Sequence, residues 1–349
     1  MGYLRALNLE PIQRVWQPRR QLLSILRGAL NNPALLYAEP PRRMGGGFSN
    51  EIVRIRLLDG PPNFSGPLVL RAMHDDDDAM RESVIQHGVA QAGFSAPPVL
   101  MRGSSRSPLE RPFTISPLVA GKTFDSLLNP TTILATFRRL PGQLGETMSA
   151  LHALPTAAIA ERLAAAGWPA ARLDSLAVLT ELQTQLESLH TPAMTNAAAW
   201  LANHKPNFAP AVVCHGDLHP LNLLFEDERV VAVLDWELAR LADPAFDVAR
   251  TSMLLRLSPA PVPHVPRIVV KRMSRRLSTR FVENYRTHRG LDEGSLLWHE
   301  ALHCLRTATM AMLGAQPSAP PRLRRTADVW LTTVPRLKKR FTDITSVPM

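Results

Sequence analysis

Residues 212–250 read VVCHGDLHPLNLLFEDERVVAVLDWELARLADPAFDVAR, and the spacing of their polar residues decides how the rest of the chain is read. Two short apolar runs, Val212-Val213 and Leu223-Leu224-Phe225, bracket HGDLHPLN at 215–222, and a third, VVAVL at 230–234, ends on Asp235. Apolar runs of this length bounded by polar turns predict strands. Asp217 stands five positions before Asn222, and Asp235 follows thirteen positions later. Together they offer one carboxylate that can orient a hydroxyl and accept its proton, and two oxygen ligands of the kind that hold Mg²⁺ on phosphates. A lone HGD would be read as a turn. Followed at these intervals by LDWE and DPAFD, it is a long pattern that chance rarely assembles.

Working outward, 349 residues exceed one ordinary hydrophobic core and predict a large bilobal unit or two domains. With 45% hydrophobic and 20% charged residues, disorder, collagen-like repeats and a disulfide scaffold are excluded, while 31 prolines predict interrupted helices. Cys214 and Cys304 match no zinc or redox spacing and are expected as reduced thiols. The N-terminal MGYLRALNLEPIQRVWQPRRQ has early positive charge without an apolar run, and no stretch reaches the roughly 18 apolar residues of a membrane span. A cytoplasmic protein without a membrane partner is the expectation. Net charge is +10, all of it C-terminal: residues 251–349 hold 17 basic against 6 acidic residues, residues 1–250 hold 23 against 24. This asymmetry suggests either an anionic partner or solvated arginine faces. No nucleic-acid motif accompanies it and aromatics total 6%, so a nucleic-acid partner is not expected.

Along the chain, residues 1–40 read as helix with loop, with Leu22, Leu23, Ile25, Leu26 and Leu30 before the stop at Asn31-Asn32-Pro33. A triple glycine then leads into the strand pattern of Ile52, Val53, Ile55 and Leu57, and GPLVLRAM reads as its antiparallel partner. Asp75 to Asp78 form a solvated loop or a helix start. A helix with Glu82, Val84, Ile85 and Val89 follows, then a short strand ending at Leu100 and another in RPFTISPLVAG. Residues 132–154 predict one long helix, the Ala- and Leu-rich stretch helix to about Trp200, and the chain after the 212–250 block Arg-rich helices. This order gives an α+β architecture, mixed in front and mostly helical behind.

The HGDxxxxN block with its hairpin, LDWE and DPAFD resembles the aminoglycoside phosphotransferase and choline kinase family, and the resemblance extends over roughly residues 35–315. It implies a protein-kinase-like bilobal fold: a small N-terminal lobe with an antiparallel sheet at 1–118, and a larger, mainly helical C-terminal lobe at 119–349 holding the catalytic and acceptor-binding parts. It implies ATP and Mg²⁺ as cofactors and a small-molecule hydroxyl compound as acceptor. Within it, Asp217 is the catalytic base, Asn222 and Asp235 are the metal ligands, and His215 and Asp247 brace the catalytic loop. GGGFSNEIVRI resembles the nucleotide loop, with Gly46 and Gly47 letting the backbone approach phosphates and Ser49 offering a hydroxyl. Arg71 stands where the family usually carries Lys, opposite Glu82; its guanidinium keeps the charge but is longer and planar. FTISPLVAG resembles the segment between lobes, where Ser116 and Leu118 would meet the adenine through backbone groups while Pro117 lacks an N–H. His152, in LHALP, is expected as a packed structural residue.

The acceptor itself is not named by these motifs. Polycationic aminoglycosides need several carboxylates around them, and residues 251–349 hold few. Glu237, read either as support for the metal or as one wall of the acceptor pocket, and Glu300 are the acidic residues expected near the acceptor, with helix HEALHCLRTATMAML at its border. A neutral, apolar or anionic alcohol fits this charge better, with an acyl-CoA-like or lipid-like compound as an example. The alternatives are an aminoglycoside-type antibiotic phosphotransferase and a non-catalytic nucleotide-binding pseudokinase.

Overall fold

The computed structural model describes residues 16–45, 50–128, 131–257 and 267–349, with the side chains of all of these except 267–271 and 322. The chain divides into two compact units, Met1–Gly121 and Lys122–Met349.

The first unit is a five-stranded antiparallel sheet with two helices packed on it. Helix α1 (Arg19–Ala29) precedes β1 (Leu36–Met44), β2 (Glu51–Leu58) and β3 (Pro67–Ala72); α2 (Asp76–Gln91) follows, then β4 (Met101–Gly103) and β5 (Phe113–Pro117). The strand order is β1-β2-β3-β5-β4. Alternation decides the faces: Val53, Ile55 and Leu57 of β2 and Leu68 and Leu70 of β3 are buried with Leu22, Leu26, Phe113 and Ile115. Arg71, between Leu70 and Ala72, therefore points to the opposite face, where α2 carries Glu82. Asp75 caps α2 by accepting the Asp78 N–H at 2.9 Å, and Asp76 to Asp78 occupy the first turn, where negative charge suits the helix dipole.

Two expectations need correction in this unit. The segment read as helix with loop to residue 40 contains β1, an edge strand whose register shifts around Glu39 and whose Pro40 and Pro41 disguise it, since proline is tolerated only at sheet edges. The strand expected to end at Leu100 begins at Met101 instead.

The second unit opens with β6 (Lys122–Thr123), α3 (Ile133–His152), α4 (Ala157–Ala165), α5 (Ser175–Glu187) and α6 (Pro192–Asn203). The Ala- and Leu-rich stretch is thus three helices rather than one, interrupted at Gly167-Trp168-Pro169 and at His190-Thr191-Pro192, where Gly167 and His190 take positive φ and proline bars continuation. Next come β7 (Val212–Cys214), β8 (Leu223–Glu226), β9 (Arg229–Val233) and β10 (Arg240–Ala242). They form a three-stranded sheet ordered β6-β8-β9 and a two-stranded pair β10-β7. The helices α7 (Pro244–Leu257), α8 (Arg267–His288), α9 (Glu293–Gly314), α10 (Pro321–Trp330) and α11 (Val334–Thr345) complete it. Helix α9 is the centre of the core and packs against α7, α10, α11 and α6. Its Trp298, Leu302, Leu305 and Ala308 pack among those helices.

Candidate active site

The loop 215–222 leaves β7 through a turn only glycine can make. Gly216 has φ +79°, and a Cβ there would lie 2.3 Å from the Leu238 carbonyl oxygen. Two consecutive backbone donors then share one carboxylate: the N–H of His215 bonds Asp247 Oδ2 and the N–H of Gly216 bonds Asp247 Oδ1, each at 2.6 Å. Asp247 is fully buried at the start of α7. His152 Nε2 lies 3.3 Å from Asp247 Oδ2, and its Nδ1 is 2.8 Å from the Tyr285 hydroxyl. His215 accepts the Asp217 N–H on Nδ1 at 3.3 Å and donates from Nε2 to the Leu234 carbonyl at 3.0 Å, with its ring against Trp236. An accepting Nδ1 and a donating Nε2 make the ring the Nε2–H tautomer, and burial pushes its pKa down against the pull of Asp247. Cys214 lies in the same buried group, its thiol donating to the carbonyls of Ala242 and Asp243 and pushed up by burial. With the Asp247 oxygens taken by backbone N–H groups, this cluster is a hydrogen-bonded brace.

Asp217 sits at the turn of the loop with about a quarter of its side chain exposed. Arg250 of α7 donates to its Oδ1 from both Nε (3.1 Å) and Nη2 (2.9 Å), and Arg250 Nη1 donates to Thr307 Oγ1 of α9 at 3.0 Å. His219 Nε2 lies 3.4 Å from Asp217 Oδ2, while its Nδ1 accepts the Leu221 N–H. Burial works to raise the Asp217 carboxyl, but the Arg250 guanidinium and His219 outweigh it and hold the group well below the usual carboxylate range. Asn222 Nδ2 donates to the Asp217 carbonyl at 3.0 Å, and the Asn222 carbonyl accepts the Leu234 N–H at 2.8 Å. That bond and the Leu223↔Val233 register place Asn222 beside the segment leading into Asp235, which is exposed and left-handed at φ +66°. The Asn222 Oδ1 and the Asp235 carboxylate are hard oxygen donors on adjoining strand ends, a set that fits Mg²⁺. Glu237 is nearly buried two residues on.

The remaining expected residues fall into place unequally. Arg71 Nη1 pairs with Glu82 Oε1 in the first unit, with Glu82 fully buried. Ser116 is nearly buried, with Gln86 Nε2 at 3.5 Å from its hydroxyl. The Leu118 N–H donates to Pro67 O at 2.9 Å, so the backbone donor expected to meet adenine there is already committed to the sheet. Gly46, Gly47 and Ser49 lie outside the described residues. Glu300, expected near the acceptor, is buried on α9 and held by Arg340 Nε and Nη2 of α11 at 2.8 and 2.6 Å. It ties two core helices together and is not available to a substrate.

Sequence reasoning missed Arg250 and Thr307. The available signal was the helical spacing of Arg250 three residues after Asp247, which puts both on one face of α7.

Acyl-CoA dehydrogenase family member 11 of Pongo abelii is 29% identical over 211 residues, 59% of this chain and 25% of that protein. The chain thus spans about a quarter of the length of the curated relatives it matches. A choline/ethanolamine kinase family protein from Mesorhizobium loti superposes with a TM-score of 0.60 at 18% identity, covering 95% of this chain and 98% of the other. A thermostable mutant of aminoglycoside phosphotransferase APH(4)-Ia, in complex with ADP and hygromycin B, gives 0.57 at 15% identity over 93% and 97%. These likenesses show the protein-kinase-like fold. The phosphotransferase enzyme family model matches residues 41–294, a span that takes in the Arg71–Glu82 pair and the whole loop held by Asp247. The chain belongs to the phosphotransferase enzyme family.

Proposed function

We propose that the protein is a small-molecule kinase, moving the γ-phosphate of ATP to the hydroxyl of a neutral, apolar or anionic acceptor. The observation that carries this reading is the geometry around Asp217: a carboxylate fixed through Oδ1 by Arg250, in the loop that also presents Asn222. Asp217 would orient the acceptor hydroxyl and take its proton as the oxygen attacks phosphorus. Asn222 and Asp235 would hold Mg²⁺, which when bound neutralises phosphate charge. Arg71, braced by Glu82, would carry positive charge to the phosphates. That intact pair supports a catalyst over a pseudokinase.

Charge supports the acceptor class. Asp243, the acid next to β10, has its oxygens occupied by the N–H groups of Ala209 and Ala245, each at 2.7 Å, and by the Ser295 hydroxyl. Glu300 is neutralised by Arg340. The commitment of these two acids supports a neutral or anionic acceptor over a polycationic one. APH(4)-Ia, which shares the fold, was crystallised with hygromycin B, so that class belongs in the test.

A phosphotransfer screen of hydroxylated compounds with Mg·ATP, from aminoglycosides and choline to hydroxyacyl-CoAs, measures the acceptor class directly. Asp217→Asn should bind nucleotide as wild type does and lose most turnover, whereas Asp235→Ala should lose Mg·nucleotide binding. Full turnover in Asp217→Asn would refute the base assignment. Efficient phosphorylation of an aminoglycoside bound at micromolar concentration would refute the acceptor class.

A further inference from the structure

The kinase reading gives Asp217 a task that depends on where its two oxygens point, because a carboxylate on a loop can rotate about its terminal bond. Arg250 restrains that rotation. It spends two nitrogens on one oxygen, Oδ1, and its third nitrogen is anchored by Thr307 on the central helix α9. The guanidinium side chain is 13% exposed, so little water competes for it. On the other oxygen, Oδ2, the neighbour is His219 at the longer distance of 3.4 Å, and that ring is itself oriented by the Leu221 N–H.

We infer that Arg250 is a positioning residue for phosphoryl transfer, a fork on Oδ1 steadied by Thr307 that leaves Oδ2 as the oxygen presented to the acceptor hydroxyl. The role rests on the kinase reading of the site. In the step it serves, the acceptor O–H bond breaks as its oxygen bonds to the γ-phosphorus, and the proton passes to Oδ2. The bond from the γ-phosphorus to the bridging oxygen breaks, and its electron pair leaves with ADP. Arg250 touches neither reactant. Its contribution is to hold the accepting oxygen within the narrow geometry that proton transfer requires.

A merely structural tie between α7 and α9 would alter stability and leave the catalytic constants of the folded protein unchanged, which makes the two roles separable. The experiment measures ADP release from Mg·ATP, with water and with a panel of alcohols as acceptors, for wild type, Arg250→Met, Arg250→Lys, Thr307→Val, Asp217→Asn and the double variant Asp217→Asn/Arg250→Met. Arg250→Met should lower kcat by about a hundredfold with KM for ATP nearly unchanged. Arg250→Lys should recover part of the loss, because an ammonium restores the charge without the fork. Thr307→Val, which removes only the anchor, should lower kcat several-fold. The double variant should turn over no more slowly than Asp217→Asn alone, because Arg250 acts through that carboxylate.

Wild-type kcat in Arg250→Met, or a further large loss on adding it to Asp217→Asn, would overturn the positioning role while the kinase reading stands. If Arg250→Met does not fold, Thr307→Val decides: an unchanged kcat overturns the role. A folded wild type that binds Mg·ATP and releases no ADP with any acceptor would overturn the kinase reading, and this role with it.

Discussion

Asp247→Asn tests the brace under the catalytic loop with a nearly isosteric change. The native carboxylate accepts the N–H groups of His215 and Gly216, one on each oxygen, at 2.6 Å. An amide keeps one acceptor oxygen and turns an NH₂ toward the other backbone N–H, so one charge-assisted bond is lost and one buried donor faces another. A hydrogen bond to a charged group contributes about 1.5–3 kcal/mol, and an unsatisfied buried donor costs about 1–3 kcal/mol, overlapping quantities that together suggest a loss near 3 kcal/mol. For a unit of this size that corresponds to a fall in Tm of about 6–12 °C. Thermal melts followed by circular dichroism, without nucleotide, measure it. A shift below about 2 °C, the size produced by an exposed substitution, would refute the claim that Asp247 holds the loop.

Acid should destabilise the protein before its carboxylates titrate. Burial pushes His215 down, His299 down to about 4 and His303 well below its ordinary value, so folding disfavours the protonated form of each. In the unfolded chain they titrate near 6.5, so below that pH the unfolded state binds more protons; this stability is complete above about pH 6.5 and lost as pH falls toward 4. Urea midpoints at pH 7.5, 6.5 and 5.5 should fall in that order, and a flat profile would count against it. Glu300→Gln should cost about 2 kcal/mol, below the 3–5 of a fully buried pair because Arg340 is partly exposed, and leave KM for the acceptor unchanged. A changed acceptor KM in that variant would return Glu300 to the pocket.

What was legible in the sequence was whatever spacing encodes. The strand alternation of Val53, Ile55 and Leu57, the helix start offered at Asp75 to Asp78 and the interval from Asp217 to Asn222 are local patterns, and each appears at its place in the structure. The strand β1 was hidden because Pro40 and Pro41 look like loop residues unless the strand is known to be an edge. Arg250 was hidden for two reasons: it meets Asp217 across 33 positions, and 35 of the 40 basic residues are arginine, so no single one stands out. Glu300 failed in the opposite sense. An acid on an apolar helix looks like a site residue, and only the packing of α11 reveals that Arg340 claims it.

Helix α7 reaches the loop twice, with Asp247 under its backbone and Arg250 on its carboxylate, from a segment that lies more than twenty residues beyond the end of HGDLHPLN. The octapeptide is therefore not a portable part. Grafted into another scaffold with every letter intact, it would bring the acid without its bearings, since both the shape of the turn and the aim of Asp217 are set by two side chains one helical turn apart. A transferable piece runs at least from Val212 to Arg250, and protein engineers who exchange loops between enzymes of this family would need to move the helix along with the motif.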